Sequence, residues 1–182
     1  MQSVKILRDY SIPHVGLKLG KHEFEYLIDD QFFKAFEEAT IEHCKVAVKL
    51  LLEKKETLFV LDFYVDGIVT VNCDRCAEPF EKEIFGDFQC IVKYKDERDE
   101  NVEDTDEIIF IFRDAAHIPI ADLLYDYIHL CLPMQLIHPD NENGESGCNP
   151  AVIKYLASSH ETKHTDEEDP RWAALKKLKD NN

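Results

Sequence analysis

The sequence predicts an α+β protein built on an antiparallel β-sheet, with a few short helices. Two observations support this fold class. Apolar and polar residues alternate over much of the stretch from residue 44 to residue 94, which is the period of strands with one buried face. Predicted strands outnumber helices and do not alternate with them along the chain, which argues against a parallel α/β sheet.

Length and composition favour an ordered protein. A chain of 182 residues suits one ordinary domain with tails or two very small domains, and a hydrophobic fraction of 45% supports a real core. No apolar run approaches the roughly 20 residues that a membrane helix needs. The N-terminus shows no signal-peptide pattern. We therefore expect a cytoplasmic protein.

The N-terminal part is predicted to be extended and then helical. The first 28 residues show alternation around Val15, Leu17 and Leu19. A short helix is predicted over 29–38, with Asp29 or Asp30 as its N-cap. Its apolar residues at helical spacing are Phe32, Phe33 and Phe36.

The central part is predicted to be a meander of four strands. The first two lie over 44–53 and 59–66. Asp66-Gly67 is a tight-turn signal, so a third strand is predicted to begin at Ile68. A fourth follows over 80–94.

After the meander, the acidic block 96–107 is predicted to be a solvated, mobile loop. A strand is predicted over 108–112. The stripe over 120–131 predicts a helix that starts near Pro119 and ends before Pro133.

The predicted domain limits are a single α+β domain over 1–157, a disordered linker over 158–169 and a short amphipathic helix over 170–182. Pro170 suits the first helical position. We expect this helix to bind a partner, although packing against its own domain is the alternative. Its candidate partner-binding residues are Arg171, Trp172, Leu175 and Leu178.

The formal net charge of −16 limits the kinds of partner. Nucleic-acid binding needs clustered lysine and arginine to release counterions from phosphates. An acidic protein favours basic partners instead. The alternative is that the charge only maintains solubility.

The most specific local motif is Cys73-Asp74-Arg75-Cys76. A Cys-x-x-Cys turn can present two thiolates to one tetrahedral metal ion. A redox motif would sit at a helix N-terminus, whereas this one follows a predicted strand and precedes Pro79. The turn therefore favours a zinc knuckle, with a redox centre and an ordinary turn as alternatives.

A complete zinc site needs two further ligands, and the loop over 139–149 with the residue before it offers His138 and Cys148. Cys131 is the rival ligand, but it lies on the apolar stripe of the predicted helix. Cys44 and Cys90 alternate into sheet faces and are predicted to be core thiols.

No local pattern of a catalytic site is present. The sequence contains no nucleophile elbow, no phosphate-binding glycine loop and no zinc-protease motif. Its carboxylates cluster in the predicted loop, whereas an acid–base pair needs fixed distances. We therefore expect a protein that is not an enzyme and works by binding.

Three separated segments resemble the bacterial YceD family, named for large ribosomal RNA subunit accumulation. They are the motif over 71–80, the segment over 130–138 that leads to Cys148, and the tail over 169–178. The resemblance spans roughly residues 45 to 182. The chain departs from the family in its long spacer over 139–147.

The resemblance implies a structural zinc ion bound by Cys73, Cys76, His138 and Cys148, and leaves His138 the ligand most open to replacement by Cys131. It also implies a non-catalytic role in large-subunit biogenesis. Charge favours a basic ribosomal protein or an assembly intermediate as the partner, and local rRNA contact through the C-terminal segment is the alternative. Two other hypotheses are a zinc-containing adaptor unrelated to ribosomes and a redox or metal-dependent enzyme.

Overall fold

A computed structural model describes residues 2–36, 41–96, 103–105, 107–141 and 143–160. The chain forms two compact units, Met1–His138 and Pro139–Asn182. The helices of the first unit are α1 (Gln2–Asp9), α2 (Asp30–Phe33) and α3 (Ala121–Leu130). Its strands are β1 (Ser11–Pro13), β2 (Gly20–Asp29), β3 (His43–Lys54), β4 (Leu58–Asn72), β5 (Pro79–Lys95), β6 (Ile108–Phe112) and β7 (His117–Pro119). The second unit contains α4 (Pro150–His160).

The main element of the first unit is a five-stranded sheet in the order β2-β3-β4-β5-β6. The first four strands form an antiparallel meander, and β6 pairs in parallel with β5. A separate two-stranded sheet joins β1 to β7. The α+β class is confirmed, with one parallel pair that makes the sheet mixed.

The predicted turn at Asp66-Gly67 is wrong, because β4 runs through it without a break. Gly67 pairs with Val46 of β3. A Cβ atom at Gly67 would lie 2.4 Å from the Lys45 carbonyl oxygen and 2.6 Å from the Val46 Cα. The glycine therefore permits a close approach of the two strands. Close approach of a neighbouring backbone is a common reason for glycine inside a strand, besides a turn or a bulge.

The prediction that the first 28 residues are extended is wrong at its start, where α1 forms. Residues 2–9 contain no glycine or proline. The apolar residues Val4, Ile6 and Leu7 do not alternate regularly with polar residues, as they would in a strand. Leu7 packs against the core. The extended prediction is confirmed for β1 and β2.

Two predicted helices are confirmed with shorter limits. The Asp29 carboxylate caps α2 by accepting hydrogen bonds from the backbone N–H groups of Gln31 (2.9 Å) and Phe32 (3.4 Å). The helix α3 begins two residues after Pro119 and ends at Leu130, before Pro133. Its buried residues are Ala121, Leu124, Tyr127 and Ile128.

The core contains one face of the sheet together with α2 and α3. Alternation places every second residue of β3, β4 and β5 on this face. Its largest fully buried side chains include Phe32, Phe33, Leu50, Phe59, Leu61 and Phe63. The opposite face of the sheet is mostly exposed.

The described part of the predicted acidic loop, residues 103–105, is irregular and exposed. Asp104 accepts a hydrogen bond from the Phe110 backbone N–H at 2.8 Å. The remaining residues of that loop are partly outside the described ranges, so its mobility stays a prediction.

In the second unit, a single bridge pairs Asp140 with Ser146 in the predicted loop. The helix α4 was not predicted. Asn149 caps it by accepting a hydrogen bond from the Ala151 backbone N–H at 2.9 Å. The helix includes residues 158–160 of the predicted linker, whereas the rest of the linker and the segment 170–182 lie outside the described residues. Among the described helices, none is long and apolar enough to span a membrane.

Candidate metal centre

The Cys-x-x-Cys motif forms the tip of the hairpin between β4 and β5. Asn72 and Pro79 are the last paired residues of the two strands. The Cys73 N–H donates to the Glu78 carbonyl (3.0 Å), and the Ala77 N–H donates to the Cys73 carbonyl (2.8 Å). Ala77 adopts the left-handed conformation with φ of 59°. The result is a tight knuckle, which we define as residues 73–78.

The knuckle directs backbone N–H groups toward a buried thiol. The Arg75 N–H lies 3.4 Å from the Cys73 Sγ. Burial of the Cys73 thiol opposes its ionisation, but hydrogen bonds from the backbone N–H groups of His138, Arg75 and Cys76 outweigh it and lower its pKa. Its pKa falls to about 5, so this thiol is mostly thiolate at neutral pH, and the thiolate is the form that binds metals.

The segment after α3 brings a histidine to the knuckle. The Asp74 N–H donates to the Leu136 carbonyl, and the Leu136 N–H donates to the Asp74 carboxylate, both at 2.7 Å. The His138 Nδ1 consequently lies 3.4 Å from the Cys76 Sγ. The His138 ring also packs on Phe80, with 4.7 Å between ring centroids.

These contacts gather three of the four predicted ligands in the first unit. The ligand atoms of Cys73, Cys76 and His138 lie within 4.8 Å of one another. Two thiolates and an imidazole are donors that Zn²⁺ prefers, so the residues fit a zinc ion. Asp74 was missed by the sequence analysis, because an aspartate inside a Cys-x-x-Cys turn carries no signal that it pairs with a distant backbone.

Cys148 lies in the second unit, where it is buried. Its backbone N–H lies 3.3 Å from the Ser146 Oγ. Its membership of a four-ligand set with Cys73, Cys76 and His138 stays a prediction.

The other three cysteines lie in the core or pack against it. Cys131, the rival ligand, is half-buried, packs against the core and has a pKa raised by burial. Cys90 is fully buried in the sheet, and Cys44 packs against the core. The prediction that these three are core thiols agrees with their positions.

The knuckle lies between two strands rather than at a helix N-terminus. The helix dipole that lowers thiol pKa values in thioredoxin-like motifs is therefore not available here. This geometry favours a metal knuckle over a redox centre.

The predicted partner-binding residues Arg171, Trp172, Leu175 and Leu178 lie outside the described residues. Their role stays a prediction.

The chain was compared with models of known protein families. A family model described as large ribosomal RNA subunit accumulation protein YceD matches residues 61–179. The matched range contains the knuckle, His138, Cys148 and most of the tail. No curated protein and no solved structure matches the chain.

Proposed function

The chain belongs to the YceD family of large ribosomal RNA subunit accumulation proteins, and from this premise we propose that it is a non-catalytic factor in biogenesis of the large ribosomal subunit. The family match over residues 61–179 is the observation that supports the proposal. The protein would act by binding a component of the maturing subunit, so that its ribosomal RNA accumulates.

The proposed partner is a basic ribosomal protein or an assembly intermediate that presents one. A net charge of −16 disfavours general binding to RNA phosphates and favours lysine-rich and arginine-rich proteins. Ribosomal RNA contact is proposed only for the C-terminal segment that contains Arg171, Trp172, Leu175 and Leu178, since its lysines and arginine make it locally basic.

The proposed cofactor is one structural zinc ion held by Cys73, Cys76, His138 and Cys148. Three thiolates and one imidazole form a closed four-ligand set, which is typical of structural rather than catalytic zinc. When bound, zinc supplies folding free energy by joining ligands that are far apart in the sequence. The chain's own part is the hydrogen-bonded knuckle, which orients the thiols before metal binds.

The zinc proposal predicts about one zinc ion per chain in protein purified under reducing conditions. A Cys73→Ser variant should lose most of the metal and unfold at a lower temperature, because a ligand and its folding free energy are removed. Cys131→Ser is the matched control, since this half-buried thiol lies outside the group. Metal analysis and thermal unfolding measure both effects. Equal zinc content in the two variants would contradict the ligand assignment.

The function is tested by ribosome profiles of cells that lack the protein. We expect free large subunits and assembled ribosomes to decrease relative to small subunits, and expression of the wild-type chain to restore them. An unchanged profile would refute the proposed function and favour an adaptor unrelated to ribosomes. Deletion of residues 170–182 in the rescuing chain tests the C-terminal segment separately.

A further inference from the structure

One surface of the first unit is apolar without being part of the core. We define the outer face as the side of β2, β3, β4 and β5 that points away from the core. Phe85 is 82% exposed and Leu27 is 78% exposed on this face. The register places them in one row across the four strands, Leu27–Ala47–Asp66–Phe85.

Two further apolar side chains widen this row. Tyr64 and Ile68 lie two residues before and after Asp66, so alternation places them on the same face. They are 47% and 41% exposed. We name the set the outer patch, and its members are Leu27, Ala47, Tyr64, Ile68 and Phe85.

The exposure of the outer patch has no explanation in the folding of the described chain. Single exposed apolar residues are ordinary, but a contiguous exposed set rimmed by polar residues marks an interaction surface. A phenylalanine in the middle of a long strand gains nothing for the core when it points outward. The outer patch therefore indicates a binding partner.

Charges around the outer patch restrict the chemistry of that partner. The carboxylates of the outer face are Glu23, Glu25, Asp29, Glu53, Asp62, Asp66, Glu81, Glu83 and Asp87. The lysines of the same face are Lys21, Lys45, Lys49, Lys93 and Lys95. Lys49 pairs with Glu23. The outer patch is thus an apolar set that contains Asp66 and is surrounded by a rim in which carboxylates outnumber lysines.

We propose that the outer patch binds a basic protein segment, with apolar side chains seated on Phe85 and Leu27 and lysine or arginine side chains facing the surrounding carboxylates. This inference rests on the proposed function, because it assigns the surface that receives the basic ribosomal partner. RNA is a poor occupant, since its phosphates would meet the carboxylates. A second copy of the chain is also a poor occupant, because two negative rims would face each other.

The first experiment identifies the occupant. A photoreactive phenylalanine analogue is placed at position 85, and the full chain is irradiated separately with proteins extracted from large subunits, with protein-free large-subunit RNA, and alone. We expect a cross-link to a basic ribosomal protein. Cross-linking to RNA, to a second copy, or to nothing would overturn the proposal.

The second experiment measures binding to the cross-linked protein after its purification. The double variant Leu27→Ser/Phe85→Ser should bind at least about tenfold more weakly, since buried aromatic anchors dominate interface energies. The matched control is Val15→Ser/Leu130→Ser, which removes apolar side chains that are 70% and 67% exposed outside the outer face. Affinity of the outer-face variant within twofold of the wild type would overturn the proposal.

Charge is tested with Asp66→Asn/Asp87→Asn against Asp9→Asn/Glu56→Gln, which removes two carboxylates elsewhere. Only the first pair should weaken binding at low salt, and the difference should shrink at high salt because screening shortens the range of charge attraction. Equal effects of both pairs would contradict a local role of the rim.

An experiment in cells distinguishes a wrong assignment of the binding surface from a wrong assignment of the function. If wild-type chain and Leu27→Ser/Phe85→Ser both restore large subunits in cells lacking the protein, the surface assignment is wrong and the function stands. If the wild-type chain itself restores nothing, the function is wrong. Thermal unfolding of each variant verifies that the fold is intact.

Discussion

The two faces of the five-stranded sheet are built by the same strands and differ in what covers them. On the inner face, Leu50, Phe63 and Cys90 are fully buried. On the outer face, Phe85 and Leu27 remain mostly exposed. Large apolar side chains therefore occur on both faces, but only those of the inner face are needed for the chain to fold. Hydrophobicity at a strand position does not by itself reveal which of the two roles a residue has.

The largest difference is expected between Phe63→Ala and Phe85→Ala. Phe63 is fully buried and packs edge-on against Tyr127, with 5.1 Å between ring centroids. Its truncation should lower the free energy of unfolding by about 3–5 kcal/mol, because it removes buried apolar surface and leaves a cavity. Truncation of Phe85 should change it by no more than about 0.5 kcal/mol. Urea unfolding of the isolated protein measures both.

A substantial loss of stability in Phe85→Ala would contradict the distinction between the buried inner face and the exposed outer face. It would mean that Phe85 is covered within the chain itself, and the outer patch would then be part of the core rather than a binding surface.

A smaller effect is expected at Gly67 of β4, where the backbone of β3 leaves no room for a side chain. In Gly67→Ala the new methyl group would meet backbone atoms that cannot move aside, at 2.4 Å and 2.6 Å. We expect a loss of about 1–3 kcal/mol, the usual cost of overpacking. Gly16→Ala is the control, because its added methyl group would meet nothing within 4 Å. Equal stability of the two variants in urea unfolding would show that β3 and β4 separate easily at this point.

The smallest effect concerns pH and a histidine that packs against the inner face. His14 is buried, and its ring lies 5.2 Å from the Phe59 ring. Its Nε2 donates to the Ala115 carbonyl at 2.7 Å, and its buried Nδ1 has no hydrogen-bond partner among the described residues, which favours the neutral ring. Burial of the ring lowers its pKa and outweighs the hydrogen bond to the Ala115 carbonyl, which acts in the opposite direction, while the charge of Lys54 lowers the pKa further.

Because the unfolded chain binds this proton more readily than the folded chain, the free energy of unfolding should fall as the pH drops below the ordinary histidine value of 6.5. In a His14→Gln variant, the free energy of unfolding should decrease less between pH 7 and pH 5 than in the wild type. Thermal unfolding at several pH values compares the two proteins. If the unfolding temperature depends on pH in the same way in both proteins, His14 is not a source of the acid sensitivity.

Much of the fold was predictable because strand alternation is a local signal. Every second residue from Cys44 to Leu52 is apolar, lysines fall between them at positions 45 and 49, and the stretch forms part of β3. Asp66-Gly67 misled the prediction, since a turn and a close strand crossing both select glycine. The cap and proline at Asn149-Pro150 are a start signal for α4 that the sequence contained.

The site was predictable for a different reason. Cys73 and Cys76 are three residues apart, so their shared turn is visible in the sequence. The approach of His138 depends on the pair of hydrogen bonds between Asp74 and Leu136, which are sixty-two residues apart. No local pattern encodes that pairing. The sequence offered His138 only as a candidate ligand beside a loop, and the resemblance to a family supported that choice.

The hairpin of β4 and β5 has a consequence for the order in which the chain folds. Its tip closes a short loop between Asn72 and Pro79, and short loops close fastest because little chain entropy is lost. The two cysteines of the knuckle are therefore adjacent early, before β6 can pair with β5 across the intervening acidic segment. We expect a nascent chain to capture metal first through Cys73 and Cys76, and His138 to join only after α3 has packed. Metal availability during synthesis would then set the speed of the late folding steps, and not only the stability of the finished protein.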